Sequence, residues 1–257
     1  MQYIFSGVLM QNIVYAGDAR ISHYDLDKNG NIKLSALLRM IHAAADINAA
    51  SLGIGYTQLS GLNMTFVLQR IGFKFTRLPK YSEIVTIKTW PSEISKGMFL
   101  RLGSMHDANN KLIEWASQWI LFDLASRKIL KPSALPIKVP EFTDMGVTVR
   151  PEKIAQPTSE GAIYSNYVHT VRYADVDTNN HMNNSVYGDL VGNAVFADSS
   201  MDSRKFSEVH INYFAEAKNG EKINVTAQKH GDIIYISGEM ESKKNFAARL
   251  RICNGYN

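Results

Sequence analysis

Two stretches of the chain are written on one template, and that repeat limits the fold more than any other feature. Y-D-L-D-K-N-G-N begins at Tyr24 and A-D-V-D-T-N-N-H at Ala174, so Asp25, Asp27 and Asn29 match Asp175, Asp177 and Asn179 at a constant offset of 150. A helix pattern follows each copy: Leu34 to Ala50, and Asn184 to about Ala197. Further on, F-K-F-T-R-L-P-K-Y-S-E at Phe73 parallels I-N-Y-F-A-E-A-K-N-G-E at Ile211, at an offset of 138. The shared order makes the weak individual matches credible. A chain of 257 residues then reads as two copies of one strand–helix–meander unit.

The first copy shows the unit most plainly. The N-terminal segment through Tyr15 is β-branched and aromatic, which suits a strand, and Ala19 to Tyr24 alternates loosely. From Lys33 to about Gly53, Leu34, Leu37, Leu38, Ile41, Ala44, Ala45 and Ala49 follow the spacing of an apolar helix face. The many alanines allow close approach to another surface. The period then drops to two over Met64–Thr76, Ile84–Trp90, Phe99–His106 and Leu112–Leu124, four strands parted by turn residues. A sheet curled around one central helix satisfies this inventory. In the second copy, strands are expected around Ile223–Gln228, Ile233–Glu239 and Phe246–Cys253. Between the copies, Lys131 to Gly161 holds five of the seven prolines and reads as a linker. The division is therefore 1–131, linker 132–161, and 162–257.

Composition removes several function classes. The net charge of +4 is mild, and no Lys/Arg run has the density of a nucleic-acid footprint. It still favours an acidic protein or anionic ligand. No stretch is long and apolar enough to span a membrane. The start lacks the basic region and cleavage site of a signal peptide, so the expected location is the cytoplasm. The single cysteine, Cys253, excludes an internal disulfide and a multi-Cys metal site, and reads as a small strand residue.

Chemistry concentrates in Val171–Tyr187, V-R-Y-A-D-V-D-T-N-N-H-M-N-N-S-V-Y, expected to open as a short strand and resume as a helix. Six residues between Asp175 and Asn184 are Asp or Asn, with His181 among them and neither Gly nor Pro. The spacing of Asp177, Asn179 and His181 puts the three on one side of an extended turn near a helix start. Such a group can polarise a carbonyl, stabilise developing oxyanion charge and orient a water. Glu216, from the second meander, could be the additional base. In the first copy these positions hold Asn31 for His181, Lys33 and Leu34 for Asn183 and Asn184, and Leu78 for Glu216. The second copy is thus expected to hold the site, and the first to be scaffold and ligand wall. An Asx-rich turn with an N-cap explains Asn183 or Asn184 but not Asp175, Asp177 and His181 together.

Other chemistries lack parts. G-x-S-x-G is absent, and the only cysteine is near-terminal. His169 and His210 are not at zinc-ligand spacing from His181. Asp25 to Ala36 nearly spells a calcium loop, but Ala36 stands where a bidentate Glu belongs, so a strand-to-helix turn with local backbone bonds is the better reading. His42, alone on its helix, reads as a packed or exposed side chain.

The run Y-A-D-V-D-T-N-N-H-M-N-N-S-V-Y resembles the D-x-D-x-N-x-H-x-N-N-x-x-Y signature of acyl-ACP thioesterases. M-T-F-V-L-Q-R-I-G-F-K-F-T-R-L-P-K-Y-S-E-I-V-T-I-K-T-W-P and S-Q-W-I-L-F-D-L-A-S-R-K-I-L-K resemble that family too, and the order of motifs covers nearly the whole chain. The resemblance implies an α+β double hot-dog fold: two antiparallel sheets, each wrapped around a long helix, fused into one pseudo-dimeric unit. It implies hydrolysis of fatty acyl-acyl carrier protein to free fatty acid, without a cofactor or metal. It carries Asp177, Asn179 and His181 onto the family's motif and its Glu-Cys pair onto Glu216 and Ala217. The missing Cys leaves water attack assisted by carboxylates. The implied partner is acyl carrier protein, not nucleic acid or membrane, and the fold leaves room for a homodimer. The early start of the domain resembles a bacterial cytosolic form rather than a plastid one. An acyl-CoA thioesterase, a hot-dog hydratase and a non-catalytic acyl-binding module are the alternatives, and Ala43, Ala44 and Ala45 hint at room for a chain.

Overall fold

A computed structural model describes residues 7–10 by their backbone, and 13–142, 145–155, 157, 162–196, 206–241 and 243–253. The first repeat runs β1 (Gly7–Met10), β2 (Val14–Arg20), α1 (Leu34–Ser51), α2 (Tyr56–Ser60), β3 (Met64–Phe75), β4 (Ile84–Ser95), β5 (Met98–His106), β6 (Lys111–Asp123) and β7 (Lys128–Leu130). The second runs β8 (Ala162–Thr170), α3 (Val186–Val195), β9 (Phe206–Tyr213), β10 (Lys222–His230), β11 (Ile233–Met240) and β12 (Lys243–Ile252). Cys253 directly follows β12.

The strands form one antiparallel sheet in the order β1-β2-β4-β5-β6-β3-β9-β12-β11-β10-β8, with β7 paired to β6. Read outward from its centre, 3-6-5-4-2 on one side is matched by 9-12-11-10-8 on the other. The repeat seen in the sequence is thus a repeat of topology. The two half-sheets of the double hot dog meet edge to edge at β3 and β9, where Ile71 pairs with Ile211 and Gly72 with His210. Joining them leaves neither central edge unpaired.

α1 lies inside the curl. Ser35, Ala36, Leu37, Leu38, Met40 and Ile41 are buried and Arg39 between them is exposed, so its first turns are enclosed on most sides rather than along one stripe. Its second half surfaces, with Asp46 and Ile47 exposed and only Ala44 and Asn48 buried. The two helices meet at Gly188, whose Cβ, were there one, would come within 2.6 Å of Ser35 N. One continuous core joins α1, α3 and the inner face of both half-sheets.

One local expectation needs correction. Val171 to Asp175 does not begin a strand: β8 ends at Thr170, and Tyr173–Asp175 is a 3₁₀ turn. The Asp175 carboxylate accepts from Arg172 N at 2.9 Å, a local bond that competes with extended pairing. The proline-rich connector over 132–161 packs on the sheet where it is described. Val147 and Val149 pack on the outer sheet face against Val14, Trp90, Leu100, Leu102 and Ala116. Buried Glu114 of β6 accepts from Thr148 N and Val149 N, both at 3.0 Å. Burying each valine contributes roughly 1.5–3 kcal/mol, enough to offset about 1–2 kcal/mol per ordered residue. Prolines disguise this segment in sequence because they supply extended backbone without periodicity.

Candidate active site

The two copies of the polar run fold into the same turn. Asp27 N donates to Asn31 O at 2.7 Å and Asp177 N to His181 O at 3.0 Å; Gly30 N and Asn180 N donate to Asp27 O and Asp177 O at 3.0 and 2.9 Å. The turn requires a left-handed residue, met by Gly30 at φ +78° and by Asn180 at φ +62°. Asn is the common substitute for Gly there, so the second copy keeps the backbone without a glycine. The resemblance to a calcium loop is explained by this geometry: the Asp27 carboxylate accepts from Asn29 N and Asn31 N.

In the second copy the turn is bonded to the helix that follows. Asp177 Oδ1 accepts from Asn179 N at 2.8 Å, and Oδ2 from Asn183 Nδ2 at 3.2 Å. Asn183 Oδ1 in turn accepts from Ser185 N at 2.9 Å and Ser185 Oγ at 2.7 Å, just before α3. This chain of bonds fixes Asp177, Asn179 and Asn183 relative to one another. Asp177 and Asp27 both hold their turns, so the two copies differ elsewhere.

They differ at His181. Its Nε2 lies 2.9 Å from Glu216 Oε2, and the same carboxylate oxygen accepts from Arg127 Nη2 at 2.9 Å. Met182 N donates to Ala217 O at 2.7 Å, which docks the turn beside Glu216. Ala217 itself is fully buried. Asn31 and Leu78 occupy the counterpart positions of His181 and Glu216 in the first copy, and Leu78 belongs to the hydrophobic core. The acid–imidazole pair is therefore particular to the second copy. Arg127 comes from the first, so that copy contributes more than a wall.

Behind the turn, Tyr187 packs edge-on to Tyr213 and Phe246, with ring centroids 5.2 and 5.3 Å away. Its hydroxyl accepts from Asn245 Nδ2 at 3.1 Å, and burial pushes its pKa up to about 12. The tyrosine that closes the sequence signature is a neutral support.

A cavity of about 520 Å³ opens between the second copy's turn and the first copy's helix. Asp177, Thr178, Asn179 and Asn183 form one wall; His42, Ala45 and Ala49 of α1 form another, with Phe66, Phe99 and Trp119 beyond. His181 and Glu216 stand outside this wall. His42, read from the sequence as a packed or exposed side chain, sits edge-on to Trp119 with ring centroids 6.0 Å apart. Its ring is half-buried, but Nε2 is sealed without a protein partner, and burial lowers its pKa to about 4. The arrangement offers a carboxylate–imidazole pair and carboxamides next to a cavity with apolar walls at Phe66, Phe99 and Trp119. Among the described residues, no three His, Cys, Asp or Glu side chains are grouped to hold a metal.

All four sequence candidates thus lie on or against one turn. Arg127 escaped the sequence reading because 89 positions separate it from Glu216, and its segment carries no polar cluster.

Comparison with known proteins agrees with this fold. The profile of the acyl-ACP thioesterase N-terminal domain matches residues 12–133, and that of the C-terminal domain residues 160–256. A dodecanoyl-[acyl-carrier-protein] hydrolase of Cinnamomum camphora is 24% identical over 222 residues, 79% of this chain and 56% of that protein. A palmitoyl-acyl carrier protein thioesterase of Arabidopsis thaliana is 21% identical over 192 residues, 70% of this chain and 47% of that protein. Both are chloroplastic, and the chain spans about half the length of these curated relatives. Among solved structures, an acyl-ACP thioesterase from Bacteroides thetaiotaomicron superimposes with a TM-score of 0.81 at 17% identity, covering 95% of this chain and 100% of that one. The 12:0-ACP thioesterase of Umbellularia californica gives 0.76 at 17% identity, covering 95% and 98%. Fold and profile agree over residues 12–133 and 160–256, most of the chain, which belongs to the acyl-ACP thioesterase family.

Proposed function

We propose that the chain hydrolyses the thioester of fatty acyl-acyl carrier protein, releasing free fatty acid and carrier thiol and so terminating fatty acid synthesis. The single observation that carries this reading is the His181–Glu216 pair at 2.9 Å, which the first copy lacks although its own turn, through Asp27 and Asn29, also lines a cavity of about 550 Å³. Asn179 holds the thioester carbonyl, and Glu216 orients a water as general base. Asp177 fixes the turn, and His181 tunes the carboxylate. Water oxygen bonds to the carbonyl carbon, and its proton passes to the Glu216–His181 pair. The carbon–sulfur bond then breaks, and that proton returns to the departing thiolate. Carboxamide and backbone donors stabilise the oxyanion in between.

The division of labour follows the repeat: 1–131 as scaffold and acyl wall, 132–161 as connector, and 162–257 as the catalytic unit, completed by Arg127. The net charge of +4 supports an acidic carrier protein as partner. No helix among the described residues is long and apolar enough to cross a membrane, and the proposed location is the cytoplasm. A homodimer is the proposed assembly.

The test is steady-state hydrolysis of matched acyl-ACP and acyl-CoA panels by wild type, His181→Ala and Glu216→Gln. Faster turnover on acyl-ACP, with losses of roughly 10²-fold or more in both variants, is the expected outcome. Turnover confined to acyl-CoA reassigns the carrier. Unimpaired variants would remove the pair from the mechanism.

A further inference from the structure

One wall of the cavity carries a buried charge. Arg101 of β5 is 9% exposed and lines the same cavity as Asp177, Asn179 and Asn183. The pleat fixes its direction: Leu100 and Leu102 face the crossover on the outer side, so Arg101 faces α1. Its Nη1 donates to Asn48 Oδ1 at 2.8 Å and to Thr89 Oγ1 at 3.3 Å. Both acceptors are neutral, and both bonds use one nitrogen of a group with about five donors. Among the described residues no carboxylate pairs with it. Asp46, which also lines the cavity, is exposed on α1. Arg249, by contrast, has Glu152 at 2.7 Å.

A buried guanidinium short of acceptors is costly, and an alkyl chain laid beside it removes its remaining access to water while returning nothing. An oxygen on the incoming chain would return a charge-assisted hydrogen bond. We infer that the acyl chain accepted here carries an oxygen acceptor (hydroxyl, keto or carboxylate) that binds Arg101, and that a plain saturated chain is the poorer ligand. The inference rests on the acyl-thioester reading for its substrate, but its binding step is separately measurable.

Calorimetric titration with fatty acids of one length, each capped at its carboxyl as an N-alkyl amide so that the head group brings no carboxylate to Arg101, is the test: unsubstituted, mid-chain hydroxylated, terminally hydroxylated and terminally carboxylated. At least one oxygenated acid is expected to bind wild type on the order of tenfold tighter than the unsubstituted acid. Arg101→Met should abolish that preference while still binding the unsubstituted acid, which also reports an intact cavity. Arg101→Lys should keep part of it. The matching thioesters should show the same ranking in kcat/KM, chiefly through KM. Equal or tighter binding of the unsubstituted acid than of every oxygenated one overturns the inference, as does a preference that survives Arg101→Met. Selective binding without hydrolysis of any thioester would sink the catalytic reading and leave this one standing.

Discussion

Gly188 of α3 rests on the backbone of Ser35 at the start of α1: an added Cβ would lie 2.6 Å from Ser35 N and 2.9 Å from Leu34 C. Both obstructing atoms are backbone, so no side chain can swing aside. Gly188→Ala should therefore destabilise the protein by roughly 1–3 kcal/mol and depress activity by shifting the turn before α3. One turn on, a Cβ at Gly192 would meet only the Phe196 ring at 3.8 Å, an ordinary contact. Gly192→Ala should instead stabilise by up to about 1 kcal/mol through helix propensity. Urea unfolding of the two variants measures the opposite signs; equal effects would refute the backbone contact.

Arg127 and Glu216 form an exposed pair, with side chains 63% and 38% accessible. Such a pair contributes about 0–1 kcal/mol to stability, so Arg127→Met should barely move the melting temperature. It should still lower kcat, by about tenfold, because Glu216 loses one of its two positioning partners. A variant with full kcat would make Arg127 a surface residue only.

His42 should give stability an acid-side slope. Both folded and unfolded chains hold it neutral above its ordinary pKa of 6.5, but folding lowers that value to about 4 by burial. Below pH 6.5 the unfolded chain gains a proton that the folded chain refuses. Stability is thus lost as pH falls from 6.5 to about 4, by up to about 3 kcal/mol. His42→Leu should flatten that part of a stability–pH curve; an unchanged slope would assign it to other groups.

Glu114 fastens the crossover segment. Burial raises its pKa, but bonds from Lys111 and Thr148 outweigh that, and the net shift is below 4.5. Its contribution is present above pH 4.5 and lost as pH falls through the lower folded value. Glu114→Ala should cost about 2–4 kcal/mol by leaving Thr148 N and Val149 N without their acceptor. Limited proteolysis should then cut near Val147 far faster than in wild type; equal cutting rates would show that the valines alone hold the segment.

Much of this was legible before any coordinate. The offset of 150 between Asp25 and Asp175 reappears in the shared backbone bonds of the two turns, because an Asp two residues before an Asn writes its own backbone hydrogen bonds. Helix α1 and the strands of the first meander lie within a few residues of their expected bounds, since periodicity encodes which face is buried. β8 was harder to delimit: as an edge strand it leaves Ile163 and Val168 exposed, so its apolar residues do not mark a buried face. The short helix α2 and strand β7 are held by tertiary contacts rather than by pattern.

By itself, the sequence determined that one unit occurs twice, and that acid, amide and imidazole gather in the second copy only. Both facts are local or periodic, and local chemistry is written in consecutive residues. Tertiary structure alone decided that β3 and β9 fuse the halves, that Arg127 crosses between copies to reach Glu216, and that Arg101 is buried beside the cavity. Each of these depends on contacts between residues far apart in the chain, where nothing in the spacing of letters records proximity.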